Sequence, residues 1–227
     1  MDIKRFWIIT AMDDEAQIII DFLELKLSKS YDKIKIYEKS WYILALTWMW
    51  KIQASIWASI LCAEYWVNSL INIWVAWNLN GEHVKIWDVF LIKEIIQHDM
   101  YLPLPWDLDY AKWKIKINFQ SGINPNEFNF WFHENGICVT WDQFIDDANK
   151  SNQLRQDTWA DIAEMEAFWV ASVAREFWIL DNTVIIKSVS DGANNDANNW
   201  LYDNLQFAMN NSIQVLKKIL WTQNYSS

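Results

Sequence analysis

The chain has 227 residues, of which 52% are hydrophobic, with 19 Lys and Arg against 29 Asp and Glu and a net charge of -10. That length and apolar content suit one large α/β domain spanning residues 1–227 with a sizeable core. The acidic balance argues against nucleic acid or anionic membrane as partners, and charges interrupt every apolar run short of a spanning segment or signal peptide, so a cytoplasmic protein is expected.

Lys4 to Thr10 reads as a short apolar strand, followed at once by a helix whose first turn carries Asp13, Asp14 and Glu15. Asp13 and Asp14 suit the helix dipole, whereas Glu15 can turn back over the strand end. An antiparallel pair is predicted at 33–37 and 41–46, the first alternating charged with apolar residues. Helix follows from Ile52 to about Tyr65, then a strand from Ser69 to Ile73 that runs into a turn at Trp74-Val75-Ala76-Trp77. Trp87 to Ile92 is a further strand carrying on through residues 95–100, with Asp88 fixing a turn and His98-Asp99 as a structural polar pair. Residues 101–109 contain Pro103 and Pro105 and read as loop; 114–118 is too short a strand to interpret, and 119–134 is Asn-rich and irregular. Gly136 to Thr140 is a strand feeding Trp141-Asp142-Gln143-Phe144-Ile145, and residues 151–156 form a short helix.

The stretch from Asp161 to Asp191 organises the rest. Glu164 and Glu166 surround Met165 where an apolar helical run begins, and the strand from Thr183 to Val189 delivers Ser190-Asp191 into a loop at Gly192 to Asn195. Ligands of open α/β sheets sit at the carboxyl ends of strands, so acids brought to such an edge form a candidate reaction centre. A helix from Trp200 to Leu220 ends the domain. Cys62 and Cys138 read as buried thiols, His83, His98 and His133 are scattered, and no metal motif or cofactor site is visible.

One compositional feature is severe: 18 Trp stand against 4 Gly, where an ordinary chain has about 7% Gly. The tryptophans fall where glycine belongs, as at Trp48 and Trp50 around Met49, Trp74 and Trp77 around Val75-Ala76, and Trp87 and Trp141 before an Asp. Such turns call for positive φ or close backbone approach, which glycine permits and an indole opposes. The expectation is that most of these positions are glycine in the natural protein, encoded by UGA in a bacterium that reads that codon as glycine.

Taken together, Ile8 to Glu15, Thr47 to Lys51, Asn72 to Trp77, Trp87-Asp88-Val89, His98-Asp99, Trp141 to Ile145, Glu164 to Ala167 and Ser188 to Asp191 occur in the order found in the 5'-methylthioadenosine/S-adenosylhomocysteine nucleosidases. The sequence resembles that family, within the nucleoside phosphorylase superfamily, over nearly its whole length. The resemblance implies a three-layer αβα sandwich around a twisted mixed β-sheet. It also implies hydrolysis of the N-glycosidic bond of adenine nucleosides, with water as nucleophile. Asp191 would be the general acid at adenine N7, positioned by Ser190, and Glu15 would hold the water. Glu166 would bind the ribose hydroxyls, Met165 would pack on the sugar, Phe144 would stack on adenine with the backbone of Ile145 reading its edge, and Met49 would face the 5' substituent. A homodimer is implied as well, and Glu164 is read as mainly structural.

Two departures stand out. Val75 replaces the serine that the family carries between two glycines, so a hydroxyl contact is lost from the substrate site. Lys187 replaces an arginine before the Ser-Asp pair. Two rival readings are a phosphate-dependent phosphorylase and a non-catalytic nucleoside-binding protein. Phosphate sites typically use arginine, and only Arg5, Arg155 and Arg175 are present.

Overall fold

The computed structural model describes residues 5–32, 34–65, 67–81, 83–99, 113–193 and 197–224. Phe6–Thr10 (β1) leads into Asp13–Leu23 (α1), whose acidic first turn sits on the positive end of its dipole. Lys26–Tyr31 (β2), Ile34–Lys39 (β3) and Tyr42–Leu46 (β4) form an antiparallel meander whose last strand returns parallel to β1. Lys51–Tyr65 (α2) then precedes Leu70–Asn78 (β5), which is buried along its whole length. Such a continuous apolar run suits a strand covered on both faces.

Val89–Gln97 (β6), Trp113–Lys116 (β7) and Phe132–Thr140 (β8) are followed by Ala148–Thr158 (α3) and the short Ile162–Glu164 (β9). Ala167–Glu176 (α4), Thr183–Asp191 (β10) and Ala197–Asn224 (α5) complete the described elements. α1 and α5 pack on one face of the sheet through residues such as Ala16, Ile19, Met209 and Leu216. On the other face, α2 and α4 contribute Ala54, Ala58, Leu61, Val170 and Ala174. The layering is therefore the αβα sandwich around a mixed sheet that the resemblance implies.

What positions the site is the branching of the sheet at β5. β10 lies parallel along one edge of β5 from Leu70 to Trp77, while β1 takes Leu70 to Asn72 and β9 takes Trp77 and Asn78. Since β10 occupies its edge throughout, β1 and β9 share the other one, with Val75 in the gap between them. β10 also pairs with β6, β6 with β8, and β8 with β9, so five strands close into a ring. The gap in the β5 edge opens where that ring meets the remaining sheet.

Several expectations change. β5 continues through Asn78 because β10 keeps pairing with it, so Trp74 and Trp77 lie in a strand, and neither has positive φ. β8 begins at Phe132, inside the segment expected to be irregular, and 113–116 is a true strand on the edge of β6. β2, exposed throughout, has no apolar alternation by which to find it. Residues 162–164 form a strand rather than the approach to a helix. The loop expected at 101–109 and the Asn194-Asn195 end of the final loop lie outside the described residues. Asp88 does fix a turn, accepting the Lys85 amide at 2.9 Å and facing His133 Nε2 at 3.1 Å.

Candidate active site

Glu15 is placed by a helix start. Its carboxylate returns to the Met12 amide at 3.0 Å and accepts the Thr10 hydroxyl at 3.2 Å, which fixes the side chain over the end of β1. The other oxygen accepts the amide of Val75 at 3.2 Å, the backbone donor left free in the gap of the β5 edge. Burial raises the pKa of Glu15, and the bonds from Val75 and Met12 oppose that rise.

Glu166 stands across the same gap at the N-terminus of α4. Its carboxylate accepts the Trp50 amide at 2.9 Å, and Trp50 presents that amide from a backbone with φ of 95°. Burial, then the nearby Glu164 carboxylate, push the Glu166 carboxyl up to about 8. Glu15, Met49, Val75, Phe144, Met165 and Glu166 all line one small cavity of about 70 Å³, so six of the nine expected site residues come together there. Trp74, Trp77 and Leu201 also line it.

Ser190, Asp191 and Ile145 stand outside the lining. Asp191 is fully buried at the end of β10, accepting the Ser190 hydroxyl at 2.9 Å and the Ala193 amide at 3.0 Å. Burial outweighs both bonds and pushes its carboxyl up to about 7. Its register partner across β5 is Trp77, which does line the cavity and meets the Phe144 ring edge-on at 4.9 Å between centroids. Ile145 is buried with Trp77, Ala163 and Ala193 in the cluster beneath Phe144 and Met165. The indole of Trp77 therefore occupies space against the ring expected to stack on a base.

Two contributors are silent in the sequence. The Trp50 amide depends on a backbone angle, and Thr140 comes from a different strand. Glu164, read as mainly structural, accepts donors from Glu166, Ala167, Thr140, Trp74 and Lys187. The nearest sequence signal is the charge of Lys187 in the middle of an apolar run of β10. The His98-Asp99 pair is not among the lining residues: Asp99 accepts Gln97 Nε2 at 3.2 Å and lies 3.6 Å from Lys51 Nζ, which also pairs with Asp142.

Known proteins agree with this architecture. The 5'-methylthioadenosine/S-adenosylhomocysteine nucleosidase of Buchnera aphidicola subsp. Schizaphis graminum is 28% identical, over 95% of this chain and 96% of the relative. The aminodeoxyfutalosine nucleosidase of Campylobacter jejuni is 26% identical over 90% of this chain and 92% of its own length. Among solved structures, a Helicobacter pylori 5'-methylthioadenosine/S-adenosyl homocysteine nucleosidase superposes with a TM-score of 0.85, covering 97% of this chain and 99% of that one at 20% identity. The model of the Phosphorylase superfamily matches residues 5–222, nearly the whole chain, and the protein belongs to that superfamily.

Proposed function

We propose that the chain hydrolyses the N-glycosidic bond of 5'-methylthioadenosine and S-adenosylhomocysteine, releasing adenine. The observation that carries this reading is the trio of buried carboxyl groups. Glu15 and Glu166 line one cavity, and Asp191 ends the strand paired with its wall, with a pKa near neutrality. The full-length relatives named as nucleosidases support the same reading.

The chemistry divides as follows. Asp191, protonated, donates to purine N7 as the bond from N9 to the sugar breaks, and Ser190 orients its carboxyl group. The sugar becomes oxocarbenium-like, and water held by Glu15 attacks its anomeric carbon and passes a proton to that carboxylate. Glu166 accepts the ribose hydroxyls, Met165 packs on the sugar, Phe144 stacks on adenine above the Ile145 backbone, and Met49 and Val75 border the remaining space. Among the described residues no arginine lines the cavity: Arg155 binds the carbonyls of Trp159 and Ala160, and Arg175 pairs with Glu176. This favours water over phosphate. Exposed Trp50, Ile52 and Ile56 near Met49 fit a second copy capping that side in a homodimer. Among the described residues no helix is long and apolar enough to cross a membrane, in keeping with the cytoplasmic reading.

The reading includes the tryptophans as misread glycines. Trp48, Trp50, Trp87, Trp159 and Trp178 have φ between 59° and 95°, a region that costs residues with a Cβ about 1–2 kcal/mol. Trp159 caps α3 in the left-handed conformation, donating to Arg155, a position usually held by glycine. Trp7 is fully buried with no partner for its indole nitrogen. The gene's codons test this directly: UGA at these positions is expected, and UGG would overturn it.

The test of function is adenine release by the chain carrying glycine at those positions. Release from 5'-methylthioadenosine and S-adenosylhomocysteine without phosphate is expected. Turnover only with phosphate would indicate a phosphorylase, and no turnover in either condition would leave a nucleoside-binding protein. Aminodeoxyfutalosine belongs in the panel because the Campylobacter relative is named for it.

A further inference from the structure

We infer that the buried Glu164–Lys187 pair is the positioning device for Glu166, taking over the capping of α4 so that the Glu166 carboxylate is left free for the ligand. This rests on the reading of Glu166 as the group that accepts the sugar hydroxyls.

The start of a helix leaves several amides without intrahelical partners, and the capping side chain ordinarily satisfies one of them. Here the residue at the cap position is Glu166, yet its side chain makes no capping bond. Glu164 does the work from two residues upstream. Its Oε2 accepts the amides of Glu166 at 3.0 Å and Ala167 at 2.8 Å. Its Oε1 accepts the Thr140 hydroxyl at 2.6 Å, and Thr140 Oγ1 in turn accepts the Phe168 amide at 3.1 Å. Three successive donors at the start of α4 are thus held without Glu166, whose carboxylate turns to the cavity and the Trp50 amide.

Lys187 completes the device. Its ammonium, fully buried in β10, donates to Glu164 Oε2 at 2.9 Å. Glu15 from α1, Glu166 from its own loop and the Cys138 thiol from β8 are the other titratable groups around this centre, and Lys187 is the cation among them. The same lysine sits three residues before Ser190, so the clamp ties the sugar side of the site to the strand carrying Asp191. A carboxylate suits the role because it only accepts, with lone pairs enough for several converging donors. The indole nitrogen of Trp74 donates to Glu164 at 3.2 Å and its ring covers Lys187 at 3.6 Å. Glycine at 74 would remove those two contacts and leave the clamp itself intact.

The experiment uses the full chain with glycine at the proposed positions. Two readouts are needed: steady-state kinetics with 5'-methylthioadenosine, and hydrogen exchange of the Glu166 and Ala167 amides. Because the clamp serves sugar binding in ground and transition states alike, E164Q is expected to raise KM about tenfold with kcat lowered less than about threefold. Exchange at the two amides is expected to quicken while that of central β10 stays as in the parent. K187M should act in the same direction, and K187R, which restores a cation, should recover most of the loss. The double variant E164Q/K187M, which buries no lone charge, keeps the test open if either single variant fails to fold. Its parent-like KM together with parent-like exchange at Glu166 and Ala167 would overturn the proposal. Should the parent chain release no adenine, the proposed function fails, and the exchange readout alone then decides the clamp.

Discussion

At the scale of single residues the proposed site is three buried carboxyl groups, each with its pKa raised by burial. Asp191 must carry a proton to act as an acid, and burial against only two hydrogen bonds brings its carboxyl to about 7. A general acid loses its proton as pH rises through its pKa, so kcat is expected to fall above about pH 7, measured as the pH dependence of adenine release. D191N keeps the shape but has no acidic proton to give, so turnover should drop by about a hundredfold or more while nucleoside binding, followed by calorimetry, persists. Retained turnover would remove Asp191 from its role. The places of Glu15, Glu166 and Asp191 at element boundaries were legible in sequence, because each closes a short motif. A structural part for Glu164 was legible too, but the amides it holds were not, because an amide leaves no letter in the sequence.

At the scale of elements, the tryptophans explain what was misread and what was seen. Reading Trp74 and Trp77 as a turn shortened β5, although the ladder with β10 runs past Trp74 and, after a register shift between Val189 and Asp191, takes in Trp77. The true left-handed positions at Trp159 and Trp178 lie beyond the ends of α3 and α4, where a helix stops by turning the chain. Trp178 is 94% exposed, so its indole contributes little burial to set against the backbone strain. W178G is expected to stabilise the fold by roughly 1 kcal/mol, seen as a higher urea midpoint with an unchanged slope. An unchanged or lower midpoint would count against glycine there. One glycine the chain does retain gives the opposite case. At Gly136 in β8 an added Cβ would stand 2.7 Å from Phe90 Cδ1 and 3.0 Å from Ile92 Cδ1. G136A should therefore destabilise the fold by about 1–3 kcal/mol in the same assay, since the β6 side chains must shift.

At the scale of the whole molecule, sheet closure sets Glu15 and Glu166 around one cavity and pairs Asp191 with Trp77 of its wall, and closure is what local patterns cannot convey. The pairings of β10 with β5 and of β9 with β5 join segments far apart in sequence, whereas the αβα layering follows from apolar helices alternating with buried strands. Burying acids in this way makes stability depend on pH. The folded chain raises the carboxyl pKa values of Glu15, Glu166 and Asp191, the last two to about 8 and about 7. Between roughly pH 4, where free carboxyl groups ionise, and these raised values, the folded state binds more protons than the unfolded state. Stability must then fall as pH rises across that window. Ionisation of the surface acids behind the net charge of -10 adds self-repulsion in the same direction. The urea midpoint is accordingly expected to be lower at pH 8 than at pH 5, by an amount on the order of a few kcal/mol in free energy. D191N separates the two sources, because it removes one buried titration and leaves the surface charge as it was. Its midpoint should change less between the two pH values than that of the parent, and an identical change would assign the whole effect to the surface.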